Sequence, residues 1–237
     1  MLLDQVIRAI QPIQVLGHIN QSVSIDYLLT DSRQLNTTPQ NTLFFAIKTE
    51  KNDGANYVNL LWSKGIKVFV VSRGSQDLFS LQEGMCVLLV ENVLQALQDL
   101  AAYKRSLYSC PVIAITGSNG KTVVKEWLYQ LLKEDFHITR SPKSYNSQIG
   151  VPLSVWQICE QTQLAIIEAG VSQPGEMERL EPIIRPTLGV ITYIGVEHGE
   201  NFASMDDKRA EKLKLFAHCP FVEDASHQNV RTCAAVL

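Results

Sequence analysis

Lys121 and Thr122 stand directly behind the turn Gly117-Ser118-Asn119-Gly120, an order of residue types suited to holding phosphate. Two glycines let the backbone aim its N–H groups at one point, and a helix that follows adds the positive end of its dipole. Lys121 supplies a cation, and Thr122 offers a hydroxyl to Mg²⁺. The general nucleotide loop places four residues between its glycines, whereas only Ser118 and Asn119 stand here, and Ile115 occupies a position where that pattern wants glycine. The competing reading is an ordinary left-handed turn before a helix, with Lys121 a solvated first-turn residue.

Further along, Glu168 closes the apolar run Leu164 to Ile167, and His198 follows the run Leu188 to Ile194 by way of Gly195-Val196-Glu197. A carboxylate and an imidazole beside bound phosphates are suitable ligands for Mg²⁺, directly or through water. Taken singly, Glu168 could equally be a partner for a helix N-terminus and His198 a surface loop residue. Thr30-Asp31-Ser32-Arg33-Gln34 puts polar residues just after a strand, where binding loops sit, although a plain turn explains them as well. The charged stretch Asp206 to Phe216, with Lys208, Arg209, Lys212 and Lys214, reads by default as the solvated face of a helix.

The elements that must position these groups follow from periodicity. Val112 to Thr116 is apolar or β-branched throughout, as a buried parallel strand should be. From Lys121 to Lys133, the residues Val124, Trp127, Leu128, Leu131 and Leu132 recur at helical spacing and predict one buried stripe. Strands at Phe136 to Thr139, Leu164 to Ile167 and Leu188 to Ile194 alternate with helices after Gly150 and at Glu176 to Leu180. That rhythm predicts a doubly wound parallel sheet, whose ligands sit at the carboxyl ends of its strands. Ahead of it, a helix over Leu3 to Ile10 and a helix near Tyr57 to Lys64 accompany strands at Val23 to Leu29, Thr42 to Ile47, Ile66 to Val71 and Cys86 to Val90. They make a small α/β unit. The fold class is therefore α/β with two domains, 1–90 and 91–237, joined by a helix over Glu91 to Tyr108.

The 237 residues are 46% hydrophobic and 19% charged, the composition of a folded globular chain. A net charge of -3 offers no basic surface for nucleic acid, so any polyanion bound is small and locally held. Cys86, Cys110, Cys159, Cys219 and Cys233 form no Cys-x-x-Cys pair, which predicts reduced thiols in a cytoplasmic protein. No basic leader opens the chain and no apolar run reaches membrane-span length, so neither export nor membrane insertion is expected.

In combination these motifs resemble the Mur ligases of peptidoglycan synthesis, most closely the MurF type. The resemblance rests on Thr30-Asp31-Ser32-Arg33, Asn41 to Lys48, Asp53-Gly54, Thr116 to Thr122, Tyr145 to Pro152, Glu168-Ala169-Gly170 and Glu211 to Phe216, in family order. The first fifty residues look most like the version fused to an alanine racemase. The resemblance implies an ATP-dependent, Mg²⁺-requiring amide ligase, expected as a monomer, that adds D-alanyl-D-alanine to a UDP-N-acetylmuramoyl tripeptide through an acyl phosphate. The MurE type, which adds a diamino acid, is the alternative. It implies a first domain for the uridine nucleotide, with Ser32 and Arg33, and a P-loop-type central domain for ATP, with Gly117, Ser118, Asn119, Gly120, Lys121 and Thr122. Asn146 and Gln148 would approach the sugar nucleotide. Thr122, Glu168 and His198 would hold magnesium, and Lys212 matches a lysine that related ligases carry as a metal-binding carbamate. Ala55, Ser147 and Val123 depart from the common pattern. Because the family pattern continues well past Leu237 into a third domain for the amine, the chain is expected to be partial. On that footing it would bind nucleotide with little turnover.

Overall fold

The computed structural model describes residues 1–18, 23–35, 38–195 and 201–224. The chain divides into two units, Met1–Leu100 and Ala101–Leu237. The division falls inside the helix α3, ten residues beyond the expected 90/91 boundary. In chain order the first unit contains α1 (Leu3–Ile10), β1 (Gln14–Leu16), β2 (Tyr27–Leu29), β3 (Thr42–Phe45), α2 (Val58–Ser63), β4 (Val68–Ser72), β5 (Cys86–Val90) and the start of α3 (Val93–Ser106). Its sheet runs β1-β5-β4-β3-β2, parallel except for β1, which pairs antiparallel with β5 through Val15↔Leu88. Phe44, Phe69, Val71, Val87 and Leu89 project from one face of this sheet onto Val58 and Leu61 of α2. β2 is shorter than the sequence predicts because the backbone before it pairs with the start of the chain instead: Leu3 N donates to Val23 O at 2.9 Å and Ile25 N to Met1 O at 2.7 Å, around an antiparallel bridge between Leu2 and Ser24.

The second unit contains β6 (Val112–Thr116), α4 (Lys121–Leu132), β7 (Ile138–Arg140), α5 (Gly150–Val155), β8 (Leu164–Glu168), α6 (Glu176–Ile184), β9 (Leu188–Ile191), α7 (Met205–Leu213) and β10 (Phe221–Asp224). Its strands run β10-β9-β6-β8-β7, all parallel. The chain leaves β6 toward β7 on one side and returns to β9 on the other, so β6 lies at the point where the winding reverses. Alternate residues of the strands feed opposite faces. Ile113, Ile115, Ile166 and Val190 pack on Val124 and Leu128 of α4, while Val112, Ala114, Ala165, Ile167 and Ile191 pack with α5, α6 and Phe216. Among the described residues no helix is long and apolar enough to cross a membrane.

The stripe predicted on α4 is rotated. Val124 and Leu128 are buried, but Trp127 is 42% exposed and Leu131 51%, and Lys125 has turned inward with no exposed surface. A helix on a flat sheet face buries a narrow i, i+4 row, and the wider amphipathic stripe leaves its flank in solvent. α7 departs from its default reading in the same way, since Lys208, Glu211 and Lys212 are buried.

Candidate nucleotide-phosphate site

Strand register builds the site. Glu168 is the last residue of β8 and sits opposite Ile115 of β6, two residues before the turn begins, while Thr116 sits opposite Ile191 of β9. Three adjacent strands thus deliver their carboxyl ends to one place.

The turn between β6 and α4 is held against the chain that leaves β9. Ser118 N donates to Tyr193 O at 2.7 Å, and Thr192 Oγ1 donates to Asn119 O at 2.7 Å. Gly117 has φ +147°, and a Cβ there would lie 2.0 Å from Thr192 Oγ1, so only glycine fits this approach. Gly120, at φ +87°, is the N-cap of α4, and from there the first-turn N–H groups face out of the helix. Asn119 is exposed. Lys121 Nζ folds back on the turn, donating to Gly117 O at 2.8 Å and Ser118 O at 2.9 Å.

Beside the turn lies the carboxylate. Glu168 is 1% exposed; its Oε2 accepts from Thr122 Oγ1 at 2.9 Å and its Oε1 from Asn146 Nδ2 at 2.7 Å. A hydroxyl and a carboxylate within hydrogen-bond distance are hard oxygen donors of the kind that suits Mg²⁺. Behind them Lys125 Nζ stands 3.8 Å from Glu168 Oε2 and donates to Ser141 O at 2.9 Å and to Lys143 O. Burial lowers the Lys125 pKa, while Glu168 opposes that effect. Lys143 adopts φ +49°, a left-handed conformation that turns its carbonyl to this ammonium. Ser141 Oγ also receives the Glu168 N–H at 3.0 Å. Neither Lys125 nor Ser141 was singled out from sequence. Lys125 lies next to the apolar stripe and reads as a solvated helix lysine, and only its tertiary partners distinguish it.

On the other side of the turn a cavity of about 170 Å³ opens, with Ser118, Lys121, Asn146, Gln148, Lys208 and Lys212 among its lining residues. Lys212 is 2% exposed and donates to Gly117 O at 3.1 Å, the oxygen that Lys121 also uses. Burial, and then the positive charges of Lys121 and Lys208, push its pKa down to about 8. Gln148 Nε2 donates to Glu176 O at 3.1 Å. Glu211, also on α7, receives the Met177 N–H at 3.0 Å and thereby ties that helix to α6.

The structure therefore brings Gly117, Ser118, Lys121, Asn146, Gln148 and Lys212 onto one cavity, with Thr122 and Glu168 adjoining through Asn146. His198 lies outside the described residues. Among the described residues no group of three or more His, Cys, Asp or Glu is placed to hold a metal ion. Ser32 and Arg33 belong to the first unit, directly after β2. There the Asp31 carboxylate accepts from Arg33 N at 3.0 Å and from its guanidinium Nε at 2.9 Å, and the hydrogen bonds from Arg33 pull the Asp31 pKa down to about 2. The Arg33 side chain remains 87% exposed.

Comparison with known proteins gives a consistent likeness. Residues 115–227 match the pattern of the Mur ligase middle domain. The chain is 36% identical over 196 residues to the UDP-N-acetylmuramoyl-tripeptide--D-alanyl-D-alanine ligase of Borreliella burgdorferi, covering 81% of this chain and 42% of that protein. Among solved structures it superimposes on MurF from Acinetobacter baumannii with a TM-score of 0.80 and 26% identity, covering 99% of this chain and 51% of the other. A MurF ligase from Thermotoga maritima in complex with ADP gives a TM-score of 0.71 at 26% identity, over 83% of this chain and 44% of the other. The chain thus spans about half the length, or less, of the relatives it matches.

Proposed function

From a chain that belongs to the Mur ligase family, we infer the nucleotide-handling part of an ATP-dependent ligase that adds D-alanyl-D-alanine to a UDP-N-acetylmuramoyl tripeptide. The observation that carries this reading is the convergence of Lys121, Thr122 and Glu168 at the carboxyl ends of β6 and β8, in a chain whose relatives bear that activity in their names. Residues 101–237 take ATP, and residues 1–100 take the uridine nucleotide through Ser32 and Arg33. Asn146 and Gln148 meet the sugar nucleotide. The MurE-type reading has no such support from the relatives.

Each part of the site has a task. The turn from Gly117 to Gly120 and the start of α4 cradle the phosphates with backbone N–H groups, and Lys121 neutralises their charge. Thr122 and Glu168 would hold Mg²⁺, which supplies a positive charge at the oxygens of the transferring phosphoryl group. In the first step an oxygen of the substrate carboxylate attacks the γ-phosphorus, the bridging P–O bond breaks and ADP departs. In the second, the amine of the dipeptide attacks the acyl carbon, phosphate leaves and the nitrogen loses a proton. The first step brings two anions together and the second expels phosphate, so cations at the site lower both barriers. Burial lowers the Lys212 pKa to about 8, which gives it a larger neutral-amine fraction than an ordinary lysine although the ammonium still predominates near pH 7, and it is assigned as the carbamate-forming lysine. His198 keeps its assignment as a metal and catalytic residue from its place in the motif order. The enzyme works as a cytoplasmic monomer, where ATP and UDP-sugars are at hand.

Titration calorimetry of the chain tests this reading. Mg-ADP and the UDP-N-acetylmuramoyl tripeptide should each bind, and Lys121→Ala should abolish only the first. A chain that binds neither ligand would overturn the assignment.

A further inference from the structure

Lys125 has no task in the reading above, yet its ammonium is fixed beside the carboxylate assigned to the metal. The side chain has no exposed surface. Its Nζ donates to Ser141 O at 2.9 Å and to Lys143 O, and stands 3.8 Å from Glu168 Oε2 and 3.3 Å from Glu126 Oε1. Glu126 pairs in turn with Arg140, whose guanidinium lies 3.7 Å from the centre of the Tyr129 ring. Charge therefore alternates along the row Glu168, Lys125, Glu126 and Arg140, and the row is neutral before any ligand arrives. Glu168 is 1% exposed, so its charge is matched by a cation that two carbonyls hold in place. The donor set beside it is small. Thr122 Oγ1 lies 2.9 Å from Glu168 Oε2, Asn146 Nδ2 covers Oε1, and among the described residues no group of three or more His, Cys, Asp or Glu is placed to hold a metal ion.

We propose that Lys125 is a specificity-determining residue that keeps a bare divalent cation off the Thr122–Glu168 pair and admits the metal only together with the phosphates of a nucleotide. The proposal rests on the nucleotide reading of the site. A divalent ion taken up alone adds two positive charges to a row that is already neutral, next to a buried ammonium, where water screens the repulsion poorly. It also finds one carboxylate and one hydroxyl, too few oxygens to replace the water it must shed. An ion carried by phosphates brings both the missing negative charge and the missing oxygens, so the same lysine opposes it far less. The ammonium cannot swing aside to relieve the repulsion, because Ser141 O and the left-handed Lys143, at φ +49°, hold it from the turn after β7.

The test uses Mn²⁺, which shares the preference of Mg²⁺ for oxygen ligands and can be followed by its paramagnetic resonance, on the full chain. Without nucleotide, Lys125→Gln should bind Mn²⁺ about tenfold tighter than wild type, while its affinity for Mn-ADP, measured by calorimetry, should rise by no more than about threefold. Lys125→Met should show the same selective gain and decides the matter if the glutamine variant does not fold. Lys125→Arg keeps the charge and should bind bare Mn²⁺ as weakly as wild type. Adding Glu168→Gln to Lys125→Gln should abolish the gained binding. A lysine that only braced the turn predicts the opposite sign, since a loosened site holds every ligand less well. Bare Mn²⁺ binding that is unchanged or weaker in the folded uncharged variants would overturn the proposal, as would an equal gain for the ion and for Mn-ADP. Wild-type protein that binds neither ADP nor Mn-ADP would instead sink the nucleotide reading itself, so the two failures are separable.

Discussion

At the residue scale, Lys212 shows what the site costs the fold. Its ammonium is buried beside Lys121 and Lys208, and the pKa falls from 10.5 to about 8. Between those values the unfolded chain binds more protons than the folded one, so stability rises with pH across the window. Below about pH 8 the whole penalty is present, and above about pH 10.5 it is gone. In CO₂-free, nucleotide-free buffer, Lys212→Met should therefore stabilise the protein at pH 7 by at most about 3 kcal/mol, from the shift at about 1.4 kcal/mol per pH unit. The gain should shrink to nothing by pH 10.5. Denaturant titrations at pH 7, 9 and 10.5 measure it, and a gain independent of pH would refute the burial account. The sequence made Lys121, Thr122 and Glu168 legible because glycines and strand ends announce them. Lys208 reads as solvated in the sequence because nothing in a charged helix says which of its lysines faces inward; that depends on how α7 lies against α6 and the turn, through contacts such as the Met177 N–H donating to Glu211.

At the scale of elements, β5 and β6 match their expected bounds because dense apolar runs leave one placement. β1 and β10 were missed. Each is an edge strand whose residues are mostly or wholly exposed, so neither carries an apolar signal, and each exists because a neighbouring strand offers a free edge. The junction of α4 with the turn 141–143 was equally hidden, since it depends on one buried cation. Removing Lys125 would leave Ser141 O and Lys143 O without their donor and Glu168 without its nearest cation. Lys125→Met should cost on the order of 3 kcal/mol, the range for breaking a buried charge pair from one side. A urea titration should show a lower midpoint at unchanged slope. A loss below about 1 kcal/mol would mean that the turn is held by something other than this ammonium.

For the whole molecule, the rhythm of strands and helices was enough to foresee two α/β units, while their division at Leu100 and Ala101 was not, because the apolar periodicity of α3 runs on through it. The proposed uridine and ATP-phosphate contacts fall in different units, with Asn146 and Gln148 of the second also meeting the sugar nucleotide. Bound ligand opposes local opening in proportion to its occupancy, by about 2.7 kcal/mol at a hundred times Kd. Hydrogen exchange on the full chain should then report ADP as slowed exchange at Gly117 to Val124 and around Asn146, with the first unit unchanged. The UDP-sugar tripeptide should slow exchange in the segment from Thr30 to Gln34. Lys121→Ala should erase the first pattern and leave the second, and Ser32→Ala with Arg33→Ala should do the reverse. The pairing of variant with pattern is the decisive readout, because a general loss of stability would speed exchange everywhere and respect neither division. If ADP protection at the turn survived Lys121→Ala, or the uridine ligand protected only residues after Ala101, the assignment of one nucleotide to each unit would fall.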